Sequence, residues 1–238
     1  MRVAALQIAH RFGDPTSVLA QVDRLLTSVG PLDLVLLPEA CLTGYVSPTG
    51  DFDLRPQAEP LDGPTSGRLA DLARRHRVVL AAPCIELAPE GHCFNTYVVL
   101  DAFGQRIAHY RKRHPWFPET WATPGEQPYP LLTIAGRAVS LAVCFDVHFV
   151  SEEAGEILDQ AEVLLFPSAW VDSQQPDDSR SDLLPKLASR HHLAIVNANW
   201  AHSTPALLGQ GGSRILDARG QRLTTAPHGG SCAVVAEV

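Results

Sequence analysis

The chain has 238 residues, with 19 basic and 26 acidic side chains, a formal charge of −7, 45% apolar residues and 19% charged ones. That mixture belongs to a globular protein and excludes a disordered tail. The acidic balance excludes a general binder of nucleic acid or of anionic membranes, both of which need a net basic face.

Strand and helix patterns alternate from the start. Val3 to Ala9 reads as a strand, too short and too soon followed by charge to be a signal peptide. Asp14-Pro15 supplies a cap and a first-turn proline for a helix whose apolar residues Val18, Leu19, Val22, Leu25, Leu26 and Val29 recur at helical spacing before Gly30. Leu32 to Leu37 is a short, almost wholly apolar strand, as a sheet covered on both faces requires. A helix is predicted over Ser66 to His76, a strand over Val78 to Ala82, and a hairpin from Asn95–Leu100 and Gln105–Tyr110 around Asp101-Ala102-Phe103-Gly104. In the second half, Ala138 to Phe145 reads as a buried strand with Cys144 at its end, and Ser151-Glu152-Glu153 as a helix start. Val163 to Phe166 follows as a strand, then a polar surface loop over 172–182 and a helix near Leu183 to His192. A strand at Ala194–Ala198, a hairpin around Asp217-Ala218-Arg219-Gly220 and a last strand from Ser231 to Val238 complete the chain. No composition break or short repeat divides it, so one α/β domain over 1–238 is expected.

Five cysteines (Cys41, Cys84, Cys93, Cys144, Cys232) make an odd number with no C-x-x-C pair, which argues against a disulfide framework or a zinc knuckle. A reducing, cytoplasmic setting is the expectation, and no apolar run approaches the ~18 residues of a membrane span. The ten histidines are dispersed, without H-x-x-x-H or H-E-x-x-H spacing, so no metal and no other cofactor is expected. His191 and His192 are adjacent, about 100° apart on a helix, and read as packing or surface residues. Cys41 reads as a small buried hydrophobe near Glu39.

Three ionisable residues follow predicted strands: Glu39 after VLLP, Lys112 after IAHYR, and Cys144 at the end of AVSLAVC. Crevices form at strand ends in α/β sheets, and a thiol there gains nucleophilicity from a nearby base or cation. The segments around them, LLPEACLTGY, YRKRHPWFPE and CFDVHF, resemble in type and order the three signature segments of the nitrilase superfamily, the carbon–nitrogen hydrolases. Ala5 and Gln7 in the first strand, Asn95-Thr96, Glu119 before Thr123-Pro124-Gly125, Pro167-Ser168-Ala169-Trp170 and GGSRILDARG extend the likeness over most of the chain.

The resemblance implies a four-layer αββα sandwich with internal pseudo-symmetry, assembled as a homodimer or larger homo-oligomer. It implies that Cys144 attacks an amide carbon, that Glu39 is the general base, and that Lys112 and the Phe145 backbone N–H hold the oxyanion. Glu119 resembles the second glutamate of amidase members. Trp116, Phe145, His148 and Trp170 are expected to contact substrate. Cys144-Phe145-Asp146 resembles the amidase and carbamoylase branches, whereas nitrilases carry Cys-Trp-Glu. The expected substrate is therefore a small-molecule amide (an ω-amide, an aliphatic amide or an N-carbamoyl compound), with a nitrile as the alternative. A non-catalytic binding or regulatory member, or a glutaminase partner of a synthetase, are the rival functions. His148 stands where arginine is usual, which puts recognition of an acidic substrate in doubt.

Overall fold

Helix α1 (Pro15–Val29) starts where the sequence places it: the Asp14 side chain accepts a hydrogen bond from the Ser17 N–H, and Gly30, at φ 74°, ends it. It connects the parallel strands β1 (Arg2–Gln7) and β2 (Leu34–Leu36), and α2 (Pro64–His76) connects β2 to β3 (Val79–Leu87). Antiparallel strands β4 (Cys93–Leu100) and β5 (Arg106–Arg111) extend this sheet on one side. The second half runs β6 (Leu131–Ile134), β7 (Arg137–Leu141), α3 (Val150–Glu153), α4 (Gly155–Gln160), β8 (Val163–Pro167), α5 (Arg180–His191), β9 (Ala194–Ala198), β10 (Arg214–Leu216), β11 (Arg222–Thr225) and β12 (Cys232–Glu237). The computed structural model describes residues 1–9, 11–171, 180–201 and 209–238, so most of the predicted 172–182 loop lies outside the described residues.

Two six-stranded mixed sheets result, ordered β12-β1-β2-β3-β4-β5 and β11-β10-β9-β8-β7-β6. Each has three parallel strands at its centre, two antiparallel strands on one side and one on the other. The halves repeat one topology, with a cross-over at the end: the C-terminal β12 pairs with β1, closing the first sheet. Strand periodicity sorts the side chains between layers. Val3, Ala5, Leu34 and Leu36 join the core shared with the second sheet, while Ala4, Leu6, Val35 and Leu37 pack with Val18, Val22, Leu69 and Leu72 of the covering helices. The two sheets meet face to face through β1 against β9 and β12 against β10. This is the αββα sandwich.

Three local expectations change. The strand read over Ala138–Phe145 ends at Leu141, and Cys144–His148 is a tight 3₁₀ turn, because Cys144 adopts φ 48° and leaves the extended conformation. Ser151 is the second residue of α3, which begins one residue earlier than read, at Val150, with Glu152 and Glu153 in its first turn. The Ser151 hydroxyl bonds the His191 imidazole Nε2 (2.9 Å), whose Nδ1 meets Asp159 (2.7 Å), so His191 packs α5 onto the α3–α4 segment. Strand β6 was not predicted: it is a four-residue edge strand with Leu131 and Thr133 exposed, too short for its LLTI run to show a strand period.

Leu36 is fully buried between the sheets. Leu36→Ala is expected to cost about 2–5 kcal/mol, read as a lower urea midpoint at unchanged slope.

Candidate active site

The ends of β2, β5 and β7 bring the candidate side chains Glu39, Lys112, Glu119 and Cys144 together. Glu39 lies just beyond β2, where the Leu37 carbonyl accepts a hydrogen bond from the Tyr97 hydroxyl (2.8 Å) and Ala40 turns the chain with φ 47°. Lys112 is the first residue after β5. Its N–H donates to the Asn95 carbonyl (2.8 Å), and its own carbonyl accepts from the Gly125 N–H (2.8 Å). Gly125 has to be glycine here, since a Cβ would stand 2.2 Å from the Arg111 carbonyl oxygen. Glu119 closes a turn in which its carboxylate accepts from the Trp116 N–H (2.5 Å) and its N–H donates to the Trp116 carbonyl (2.7 Å).

Lys112 Nζ donates to Glu39 Oε1 (2.7 Å) and to Glu119 Oε2 (2.6 Å). Asn95 Nδ2 donates to Glu39 Oε1 (2.9 Å) and Glu119 Oε1 (2.7 Å). Glu39, Asn95, Lys112 and Glu119 are all buried, none more than 2% exposed. Burial alone would lower the Lys112 pKa, but the Glu119 and Glu39 carboxylates outweigh it and hold the ammonium well above the usual lysine range. Burial raises Glu39, with Lys112 pulling the other way. Cys144 is pushed well up by burial and by the Glu39 carboxylate, against Lys112 and the Ala169 N–H. The thiol at rest is therefore protonated, and a proton acceptor is needed to make it a nucleophile.

Asp146 anchors the turn that carries Cys144. Fully buried, it accepts from the Val143 N–H (3.0 Å), the Tyr110 hydroxyl (2.8 Å) and the His114 N–H (2.9 Å), thereby tying the turn to the segment that bears Lys112. Beside the thiol is a pocket of about 140 Å³ lined by Tyr45, Trp116, Phe145, His148, Ala169 and Trp170 among others. Trp170 is set from behind: its N–H donates to Asn199 Oδ1 (2.9 Å) and its carbonyl accepts from Trp200 Nε1 (2.6 Å). His148 stands at the mouth with its ring 5.0 Å from that of Phe145, and partial burial lowers its pKa, so the imidazole is neutral near pH 7. Phe117 lies outside the lining, 79% exposed and edge-on to Trp116. Cys41 is packed under β2 among apolar side chains.

The sequence matches the carbon–nitrogen hydrolase family over residues 2–238. The chain belongs to that family. Among its relatives are a hydrolase from the pqqF 5′ region of Pseudomonas protegens, 28% identical over 95% of this chain and 79% of that one, and an (R)-stereoselective amidase of Pseudomonas sp., 27% identical over 94% and 80%. Solved structures of an amidase from Nesterenkonia sp. AN1 superpose on the whole chain: a cysteine-to-alanine variant matches with TM-score 0.85 at 28% identity and 90% of its own length. A glutamate-to-glutamine variant of the same amidase (TM-score 0.83, 27% identity, 90% of its length) carries the acetamide moiety of fluoroacetamide covalently on its active-site cysteine. The present chain is thus an amidase-type carbon–nitrogen hydrolase of the nitrilase superfamily.

Sequence reading had given no role to Tyr45, Asn95, Asp146 or Ala169. All four lie inside the quoted segments LLPEACLTGY, Asn95-Thr96, CFDVHF and Pro167-Ser168-Ala169-Trp170, but what they contact is long-range and has no local signature. Asp146→Ala leaves two buried donors and one part-buried donor without their acceptor and is expected to cost at least about 2 kcal/mol. Asp146→Asn, which keeps one acceptor oxygen, should lose less in the same urea titration.

Proposed function

We propose that the protein hydrolyses small, uncharged amides through a thioester on Cys144. The observation that carries this reading is the buried Glu39–Lys112–Glu119 cluster, which acts electrostatically on a thiol opening into a small aromatic pocket. Glu39 takes the Cys144 proton as the sulfur–carbon bond forms. Lys112 and the Phe145 N–H stabilise the oxyanion of the tetrahedral intermediate; loss of one such donor typically costs about 10²–10³ in rate. The C–N bond then breaks, the leaving nitrogen takes the proton from Glu39, and ammonia or an amine departs. Water gives its proton to Glu39, attacks the thioester carbonyl, and the sulfur–carbon bond breaks as Cys144 recovers a proton. Glu119 holds Lys112 in place and makes no bond to substrate in this scheme.

The acyl group is small and apolar in this reading. The pocket of about 140 Å³ is well below the ~300–1,000 Å³ of sites for drug-sized ligands. Aromatic rings form most of its wall, and none of its described lining residues is lysine or arginine. A neutral imidazole at the mouth offers a hydrogen bond but no fixed charge for a carboxylate. The Nesterenkonia amidase, whose cysteine-to-alanine variant has been seen with butyramide, supports the same substrate class.

Mass spectrometry of protein mixed with butyramide and quenched with acid should find the acyl adduct on the Cys144 peptide, with Cys144→Ala inactive. An adduct on another residue, or turnover by Cys144→Ala, overturns the proposal. His148→Arg should raise kcat/KM for a carboxyl-bearing amide by about tenfold relative to an uncharged amide of equal length, the low end for a hydrogen bond to a charged group. Because burial raises Glu39, kcat/KM should fall as pH drops through a midpoint above the ordinary value of 4.5, with Glu39 then protonated and unable to accept the thiol proton.

A further inference from the structure

We propose that Asn95 is a positioning residue that designates Glu39, through its Oε2 oxygen, as the only free proton acceptor of the cluster. This rests on the thioester reading above. Two glutamates flank Lys112 and are both buried, so their residue type does not distinguish base from support. Their hydrogen bonds do. Glu119 has both oxygens engaged: Oε1 accepts from Asn95, and Oε2 from Lys112 Nζ and the Trp116 N–H. Glu39 receives both of its donors on one atom, Oε1, from Lys112 and Asn95. Its Oε2 is buried and has no hydrogen bond of good geometry among the described residues, and besides Lys112 and Asn95 the side chain that acts on Glu39 as a hydrogen-bonding group is the Cys144 thiol.

A buried carboxylate oxygen left unpartnered is costly unless a donor arrives. Here the Cys144 thiol, then the proton of the leaving nitrogen and of the attacking water, are the donors the reaction brings.

The Asn95 amide makes this asymmetry. Its neighbours are both carboxylate oxygens, which only accept, so the amide NH₂ must face them and one nitrogen spans both glutamates. Asn95 itself is fixed by β4, where its carbonyl accepts the Lys112 N–H (2.8 Å), so the residue that orients the carboxylates also holds the backbone of the lysine. Its side-chain oxygen makes no hydrogen bond among the described residues. The side chain thus contributes only donors to the cluster, a task that aspartate, of the same shape, cannot perform when ionised.

The test compares Asn95→Ala and Asn95→Asp with the parent on an uncharged amide, measuring kcat, KM and the pH dependence of kcat/KM, with urea midpoints and circular dichroism to confirm folding. Removing the donors should lower kcat by at least about tenfold, a fraction of the ~10²–10⁴ that a positioned base contributes. KM should change little, because the pocket wall does not include Asn95. The acidic limb of kcat/KM should move to higher pH in Asn95→Ala, and further in Asn95→Asp, whose added carboxyl makes ionised Glu39 less favourable. A folded variant with an unmoved acidic limb overturns the positioning role, whether or not kcat has fallen. The acyl adduct on Cys144 of the parent separates the two claims: if it is absent the thioester reading fails, and if it is present with an unmoved limb in the variants, only the role of Asn95 fails. Should Asn95→Asp not fold, Asn95→Ser, which keeps a donor too short to span both carboxylates, gives the same readout.

Discussion

An ammonium group buried between two carboxylates is the constraint around which the rest is arranged. Lys112 meets Glu39 and Glu119 at 2.7 and 2.6 Å with none of the three side chains more than 1% exposed. Desolvating such ions costs several kcal/mol each, and only close, multiply bonded geometry offsets it. Asn95 and the Trp116 N–H supply the extra bonds. Removing Lys112 would leave two buried carboxylates with no cation between them, and Lys112 and Glu119 are both fixed by backbone contacts: Lys112 to Asn95 and Gly125, Glu119 to Trp116.

The sandwich makes this arrangement possible by converging strand ends. Glu39 and Lys112 leave the first sheet, and Cys144 leaves the second, so the site exists only where the two sheets face each other. Asp146 connects the two contributions, bonding the Val143 N–H beyond β7 and the Tyr110 hydroxyl and His114 N–H on or just after β5. Non-glycine residues with positive φ, Ala40 beside Glu39 and Cys144 itself, occur at the points where the chain turns out of each sheet toward the site. Such conformations cost roughly 1–3 kcal/mol each, and here each has dense hydrogen bonding around it.

Much of this was readable in the sequence. Alternating strand and helix patterns, the Asp14 cap and the Gly30 stop are local chemistry and give the order of elements directly. The segments around Glu39, Lys112 and Cys144 indicated a family, and the whole-length family match bears that out. The exact end of the strand before Cys144 was not readable, because Ala142 and Val143 continue the apolar run after strand pairing has stopped. The work of Asn95 and Asp146 was also hidden. A polar residue in a strand announces neither what it faces nor how many donors that neighbour already has, and both partners of Asn95 lie tens of residues away. Trp116 lines the pocket, whereas its neighbour Phe117, equally aromatic in sequence, points to solvent.

In the proposed reaction Cys144 is a neutral thiol that depends on a carboxylate base, in contrast to cysteines held as thiolates by an adjacent cation. Ultraviolet titration of thiolate absorbance, taken as the difference between the parent protein and Cys144→Ala, addresses this directly. No thiolate signal from Cys144 is expected at neutral pH, and its appearance only well into the alkaline range. A thiolate already formed below about pH 7, as in cation-activated cysteines, would contradict this expectation.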